Sequence, residues 1–258
     1  MATTPSAVPD DFRGLRETYG HNRLLDPADL GEGWWSLLSA WIADAATAGA
    51  REPNAMVLAT SAVIYGGEER RAGGERQAGG GAPIAYARPS TRTVLCKGIT
   101  PGGVRFFTTR TSRKGRQLAA NPFASATFPL LERERQVHVE GAVVELPDAE
   151  SRAYWATRGR ASQLAAWASS QSEPVANAEA LGELYASAEA RFPDGGGAEN
   201  SPDSEDAGVP MPPYWGGYEL RPDRVEFWQG GAGRFHDRLV AEMSPAAGGE
   251  WEVRRLQP

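Results

Sequence analysis

The sequence predicts an α+β fold, mainly antiparallel β, with the strands closing into a barrel and helices at its periphery. Three observations carry this expectation. Seven or eight short segments rich in β-branched and aromatic residues recur along the chain, bounded by Gly, Pro and Asn. Helical stretches are attached to these strands, between and ahead of them. No internal repeat, no GxGxxG after a strand and no phosphate-binding GxxxxGK[ST] loop is present.

Residues 10–30 read as irregular, with "LLDPADL" as a turn ahead of the first helix. In "GWWSLLSAWIADAATAG", Trp34, Leu37, Leu38, Trp41, Ile42 and Ala45 fall at helical spacing, and Gly49 is a natural C-terminal stop. That stripe is a core face. "AMVLATSAVI" (55–64) predicts a buried strand. Residues 65–87 hold seven glycines with mixed charge and little apolar content, which predicts a long flexible hairpin connection or an insertion.

Strands return in "TRTVLCKG" (91–98) and "GVRFFTT" (103–109), with "ITPGG" supplying a turn between them. "TSRKGRQLAANP" predicts a short helix with Thr111 or Ser112 as N-cap and Pro122 beyond its end. "FASATFPL" and "RQVHVEGAVVEL" predict two further strands, followed by helices near 148–158, 161–169 and 177–191. "DGGGAENSPDSEDAG" (194–208) is polar, acidic and Gly-rich, the composition of a mobile loop. "YWGGYELRPDRVEFWQG", "RFHDRLVAEM" and "EWEVRRLQP" close the chain as strands.

Composition narrows the function. A net charge of −6 disfavours nonspecific nucleic-acid binding, and 41% hydrophobic residues sustain a proper core. No apolar run approaches membrane-spanning length, and the N-terminus has no apolar signal region, so the expectation is a soluble, cytoplasmic protein. The single cysteine, Cys96, excludes an internal disulfide and a Cys-based zinc site, and three scattered histidines argue against a metal centre. Of 27 basic residues, 25 are Arg; the two lysines, Lys97 and Lys114, persist against that bias.

Candidate chemistry gathers in three places. A phosphate at the start of the 112–120 helix would meet free backbone N–H groups, the helix dipole and the cations Arg113 and Lys114. Gln136, Ser162, Gln171 and Ser172 offer amides and hydroxyls suited to the edge of a polar ring, with Trp228 available for stacking. In "FWQGGAGRFHDR", Arg234, His236 and Arg238 alternate, so a strand there puts all three on one face, either as a solvated edge or as a functional row. No GxSxG motif and no convincing Ser/His/Asp order or carboxylate pair appears. Cations, amides and aromatics without a nucleophile fit a protein that binds a reactive cofactor and lets it do the chemistry.

The strings "RPSTRTVLCKG", "FFTTRTSRKGRQLAANP", "ERQVHVEG", "YWATRGRASQLAAWASSQS", "PPYWGGYELRPDRVEFWQGGAGRFHDR" and "RRLQP" resemble, in order, the pyridoxamine 5′-phosphate oxidase family. The resemblance runs from about Arg16 to Pro258. It implies an FMN-binding split β-barrel with peripheral helices, forming one domain over residues 1–258, with residues 1–30 folding over the site. It also implies a homodimer with the flavin at the subunit interface.

Carried over residue by residue, the family's FMN ligands fall on Arg92, Thr93, Val94, Leu95, Phe107, Thr108, Arg113, Lys114, Gln136, Gln171, Ser172, Trp228 and Arg238. Its substrate contacts fall on Lys97, Tyr154, Arg158, Ser162, Arg234 and His236, with Arg16 and Tyr19 closing over the site. Arg234 and His236 are the implied catalytic pair, positioning the pyridine ring. The implied reaction oxidises pyridoxamine 5′-phosphate and pyridoxine 5′-phosphate to pyridoxal 5′-phosphate. Dioxygen is the acceptor, hydrogen peroxide is released, and the amine substrate also yields ammonia.

The chain departs from the usual pattern at Phe107 (commonly Tyr), Thr109 (Asn), Cys96 (Leu), Phe235 (Leu) and over the Gly-rich residues 65–87, where relatives usually have a short turn. Two other functions stay open. One is a flavin oxidase tailoring a specialised metabolite, as in phenazine-pathway relatives, whose ending resembles "RRLQP". Those relatives tend to lose the substrate-phosphate ligands, whereas Lys97, Tyr154, Arg158 and Ser162 are all present here. The other is a noncatalytic module that binds flavin or pyridoxal phosphate.

Overall fold

A computed structural model describes residues 18–20, 23–66, 84–193, 209–244 and 249–258. Arg16, the 194–208 segment and the middle of the Gly-rich stretch lie outside the described residues. Among the described residues there are nine strands: β1 (Ala55–Gly66), β2 (Ile84–Leu95), β3 (Gly98–Thr100), β4 (Gly103–Thr109), β5 (Phe123–Leu130), β6 (Arg135–Glu145), β7 (Trp215–Gln229), β8 (Asp237–Ser244) and β9 (Glu250–Leu256). The α-helices are α1 (Trp34–Thr47), α2 (Arg113–Ala120), α3 (Asp148–Ala156), α4 (Arg160–Ala168) and α5 (Ala178–Arg191). Among the described residues no helix is long and apolar enough to cross a membrane.

Every ladder is antiparallel, in the order β2-β1-β5-β6-β7-β4-β3, with β8 on β7 and β9 on β8. β7 organises this sheet. One edge of it pairs with β6, while the other serves β4 from Trp215 to Leu220 and β8 from Arg224 to Gln229. The switch of partner coincides with a register shift at Glu140/Gly141, which adds a residue on the β7 side. Gly141 is required there, because a Cβ would meet the Arg221 carbonyl oxygen at 2.1 Å.

The apolar stripe of α1 fills the barrel side of this sheet. Trp34, Leu37, Leu38, Trp41 and Ala45 are buried against inward residues of alternating strands, among them Leu58, Phe106, Val137, Val139 and Phe227. Trp41 meets Phe227 edge-on at 5.3 Å. Each such large side chain contributes about 1.5–3 kcal/mol on burial, enough to fix the helix to the sheet. A second cluster, Trp155, Leu164, Ala188, Val209 and Trp215, packs α3, α4 and α5 against the start of β7.

Four expectations are corrected. The 65–87 stretch is not wholly a loose connection: β1 and β2 stay in register out to Gly66↔Ile84, so the strands claim its two ends. The Arg234, His236 and Arg238 row is not one strand face. Ala232–Arg234 form a 3-10 turn with Arg234 at φ 67°, and β8 begins only at Asp237. Gly231 and Gly233 permit that turn, so the alternation counts from the wrong start. Lys97 lies just past β2 rather than on one strand with Arg92, and Arg158 follows α3 rather than ending it.

Candidate active site

β2, β4, α2 and the segments around α3 and α4 converge on one cavity of about 210 Å³. Its walls are Thr93, Val94, Leu95, Lys97, Phe107, Thr108, Lys114, Tyr154, Arg158 and Gln171, all of them residues expected at flavin or substrate. Phe107, Thr108, Arg158 and Gln171 also border a second cavity of about 330 Å³, which Ser162 and Trp215 line as well.

Three cations at this site, Lys114, Arg92 and Arg158, have neutral partners among the described residues. Lys114 is buried and donates to Gln171 Oε1 at 2.8 Å and Thr108 Oγ1 at 3.1 Å. Burial, and secondarily the charge of Arg92, push its ammonium down to about 8. Arg92 donates to Thr60 Oγ1 and Ser90 Oγ, and burial followed by repulsion from Arg113 lowers its pKa too. Such a cluster suits an anion, since among the described residues no carboxylate pairs with Arg92, Arg113 or Lys114.

The start of α2 contributes less than its dipole suggests. Ser112 caps the Gly115 N–H, and Ser172 Oγ accepts from the Arg113 N–H at 3.2 Å, so two of the terminal donors are already engaged. Ser172 adopts φ 80°, which turns its hydroxyl toward α2.

Aromatic rings floor the pocket. Phe107 stacks on Tyr154 at 4.0 Å and on Trp215 at 5.5 Å, and Arg158 lies 4.9 Å over the Trp215 ring. Arg158 Nη2 donates to the Ser162 carbonyl, its buried Nε has no partner among the described residues, and burial lowers its pKa. A desolvated guanidinium with a spare donor, beside Lys97, suits a second anionic group.

The remaining expected ligands sit elsewhere. Gln136, Trp228 and Arg238 are direct cross-strand partners on β6, β7 and β8, a single row at the C-terminal end of β7. His236 packs on Trp228 at 4.6 Å, and Tyr19 approaches both rings at 6.0–6.2 Å. The Gly231 N–H donates to His236 Nδ1 at 3.2 Å, which leaves Nε2 to carry the ring proton in the neutral form. Burial, then the neighbouring Arg234, lowers the His236 pKa. Phe107 and Thr108 pair with Gly217 and Gly216, so about eleven positions of β7, or roughly 36 Å of strand at 3.3 Å per residue, separate the two groups.

Several contributors escaped sequence reading. Gln117 binds the Arg92 network from α2; Glu226 holds Arg238; Asp237 and Gln229 grip the backbone at Leu25 and Arg23. Gln117 had a signal, since it follows Lys114 by three positions on the same helix face. The others depend on strand register.

Comparisons with known proteins show the family. Residues 42–187 match the family described as pyridoxamine 5′-phosphate oxidase, and residues 215–258 match the pyridoxine 5′-phosphate oxidase C-terminal dimerisation region. The chain is 43% identical to a pyridoxine/pyridoxamine 5′-phosphate oxidase of Nocardia farcinica and 42% identical to one of Salinispora arenicola, each over the full length of both chains. Among solved structures, PhzG from Burkholderia lata, in complex with tetrahydrophenazine-1-carboxylic acid, superposes with a TM-score of 0.70 at 30% identity, over 93% of this chain and 100% of that one. An FMN-binding protein related to pyridoxamine 5′-phosphate oxidase, from Nostoc punctiforme, shares the fold with a TM-score of 0.59 at 16% identity, over 91% of this chain and 98% of that one. By two family matches, full-length relatives and a shared split-barrel fold, the chain belongs to the pyridoxamine 5′-phosphate oxidase family.

Proposed function

We propose that this protein is an FMN-dependent oxidase that converts pyridoxamine 5′-phosphate and pyridoxine 5′-phosphate to pyridoxal 5′-phosphate. The observation that carries the reading is the pair of cation sets around one cavity. One set is Lys114, which lines the cavity, with Arg92 and Arg113 near enough to repel within the cluster; the other is Lys97 and Arg158, which also line it, and the described partners of Arg92, Lys114 and Arg158 are neutral groups. Two phosphate esters, one from a flavin and one from a substrate, match two such sets.

Bound FMN supplies a two-electron acceptor that dioxygen restores, with release of hydrogen peroxide. The chain's own part is binding and orientation. Arg113 and Lys114 hold the flavin phosphate with Gln171 and Ser172, while Lys97, Tyr154, Arg158 and Ser162 hold the substrate phosphate. Arg234 and His236 bear on the substrate ring, His236 as a neutral donor through Nε2. Holding the reacting groups at close range replaces a bimolecular encounter with an intramolecular one.

The active unit is a homodimer. Gln136, Trp228 and Arg238 lie at the opposite end of β7 from Phe107 and Thr108, so a second copy is needed to bring its row to the first cavity. The match of residues 215–258 to a dimerisation region supports this arrangement.

The test is oxygen-dependent peroxide release by the purified yellow protein with pyridoxamine 5′-phosphate, with the flavin identified by mass. No turnover with either phosphorylated vitamer would sink the reading. The likeness to PhzG favours a second reading, a tailoring oxidase, so a reduced phenazine carboxylate belongs in the same assay. Turnover of that compound alone would select the second reading.

A further inference from the structure

We propose that Gln117 is a positioning residue for Arg92, and that its neutral amide lets the site favour a phosphorylated flavin over an unphosphorylated one. The proposal rests on the flavin reading above. It starts from four side chains on three elements. Thr60 on β1 and Ser90 on β2 are direct cross-strand partners, and Arg92 lies two residues further along β2 on the same face. Gln117 reaches this face from α2, the helix that also carries Arg113 and Lys114.

The hydrogen bonds among them have one consistent direction. Arg92 can only donate, and it does so from Nη1 to Thr60 Oγ1 at 2.6 Å and from Nη2 to Ser90 Oγ at 2.8 Å. Each hydroxyl, having accepted from Arg92, donates a hydrogen bond to Gln117 Oε1, at 2.6 Å from Thr60 and 3.0 Å from Ser90. Arg92 Nη2 also approaches that oxygen at 3.3 Å. Three donors converge on Gln117 Oε1, which assigns the orientation of the amide. Gln117 and Thr60 are buried, so this arrangement has no water to replace it.

The choice of residue matters because of the charge. A glutamate at 117 would accept the same three hydrogen bonds and hold Arg92 as well. It would also cancel a positive charge next to Arg113 and Lys114, where the cluster's value is its attraction for a dianion. A neutral acceptor orients the guanidinium and leaves its charge to the ligand. Gln171 treats Lys114 the same way, accepting from Nζ with an amide oxygen.

The test uses the full chain freed of flavin and titrated separately with FMN and with riboflavin, followed by flavin fluorescence. The ratio of the two affinities isolates the contribution of the phosphate. We expect wild type to prefer FMN. Gln117→Glu should lower that ratio about tenfold or more while riboflavin affinity stays within about twofold. Gln117→Met, which keeps the volume and removes the acceptor, should lower the ratio less. In an Arg92→Ala background, Gln117→Met should have little further effect, since the orienting role it removes runs through Arg92.

An unchanged ratio in a folded Gln117→Glu protein would overturn the proposal. If that variant does not fold, an unchanged ratio in Gln117→Met would overturn it instead. Equal affinity of wild type for the two flavins also overturns it, whereas binding of neither flavin overturns the flavin reading beneath it.

Discussion

Arg238 Nε donates to Glu226 Oε1 at 2.7 Å across the β7–β8 ladder, while Arg224 reaches the other carboxylate oxygen at 2.8 Å. Glu226 is buried, so Arg238 holds an internal charge as well as facing the row of Gln136 and Trp228. Burial works to raise the Glu226 carboxyl, but the hydrogen bonds from Arg238 and Arg224 outweigh it and hold the group below its usual range.

Arg238→Ala should therefore weaken both the fold and flavin binding. Glu226 keeps Arg224, so the stability cost is that of one charged hydrogen bond, about 1.5–3 kcal/mol. A carboxylate with a depressed folded pKa stabilises above its unfolded value, and that contribution is lost as pH falls through the folded one. The gap between the wild-type and variant melting curves should accordingly narrow in acid. Identical melting at neutral pH would show that the ion pair contributes nothing.

Arg234→Ala should behave differently. Arg234 is exposed in the 3-10 turn, away from the Glu226 pair, so the variant should fold normally and stay yellow. Its affinity for substrate should drop about ten- to a hundredfold, the worth of one well-placed charged contact. The His236 ring should titrate higher than in wild type, because one of its two depressing influences is gone, while burial, the larger, remains. Proton NMR of the ring checks the shift; loss of flavin from Arg234→Ala would contradict the assignment.

Lys114 sets a pH limit on anion binding. With its ammonium pushed down to about 8, the flavin-free site holds full positive charge below that value and loses it as pH rises through it. FMN affinity should be flat on the acid side of 8 and decline on the alkaline side. Lys114→Arg should keep the charge and shift the decline upward. Folding runs the other way: the unfolded lysine, near 10.5, binds more protons between about 8 and 10.5, so this group's term makes stability rise with pH there. A flat FMN affinity from pH 7 to 10 would remove Lys114 from the phosphate site.

Asp237 anchors the N-terminal segment. Its Oδ2 accepts the Leu25 N–H at 2.5 Å, its other oxygen pairs with Arg255, and its cross-strand partner Gln229 donates to the Arg23 carbonyl at 2.6 Å. Asp237→Ala should raise amide exchange at Leu25 by about tenfold or more and loosen Tyr19 over Trp228. Unchanged exchange at Leu25 would show that Gln229 suffices.

Residues 67–83 join the ends of a twelve-pair ladder that closes at Gly66↔Ile84. Replacing them with a two-residue Asn-Gly turn should leave folding and flavin content nearly unchanged, because loop length enters closure entropy only logarithmically. A collapse in soluble yield would show that the segment packs on the rest of the chain.

The sequence by itself determined the local elements and the chemistry they carry. The α1 stripe, the Ser112 cap, the helices from 148 to 191 and the alternating strands are set by short-range periodicity and capping, which depend on neighbours within a turn or two. The motif order was equally legible, and it assigned the residues that now line the 210 Å³ cavity. Tertiary structure alone decided which of these residues meet. The row of Arg234, His236 and Arg238 dissolved because Gly231 and Gly233 allow a turn that period-two counting cannot see. Gln136, Trp228 and Arg238 became neighbours through the register of three strands, and Glu226, Asp237 and Gln117 found partners 12, 212 and 25 positions away. Contacts of that span are fixed by sheet pairing and core packing, whose energy is shared among many side chains, so no short stretch of sequence encodes them.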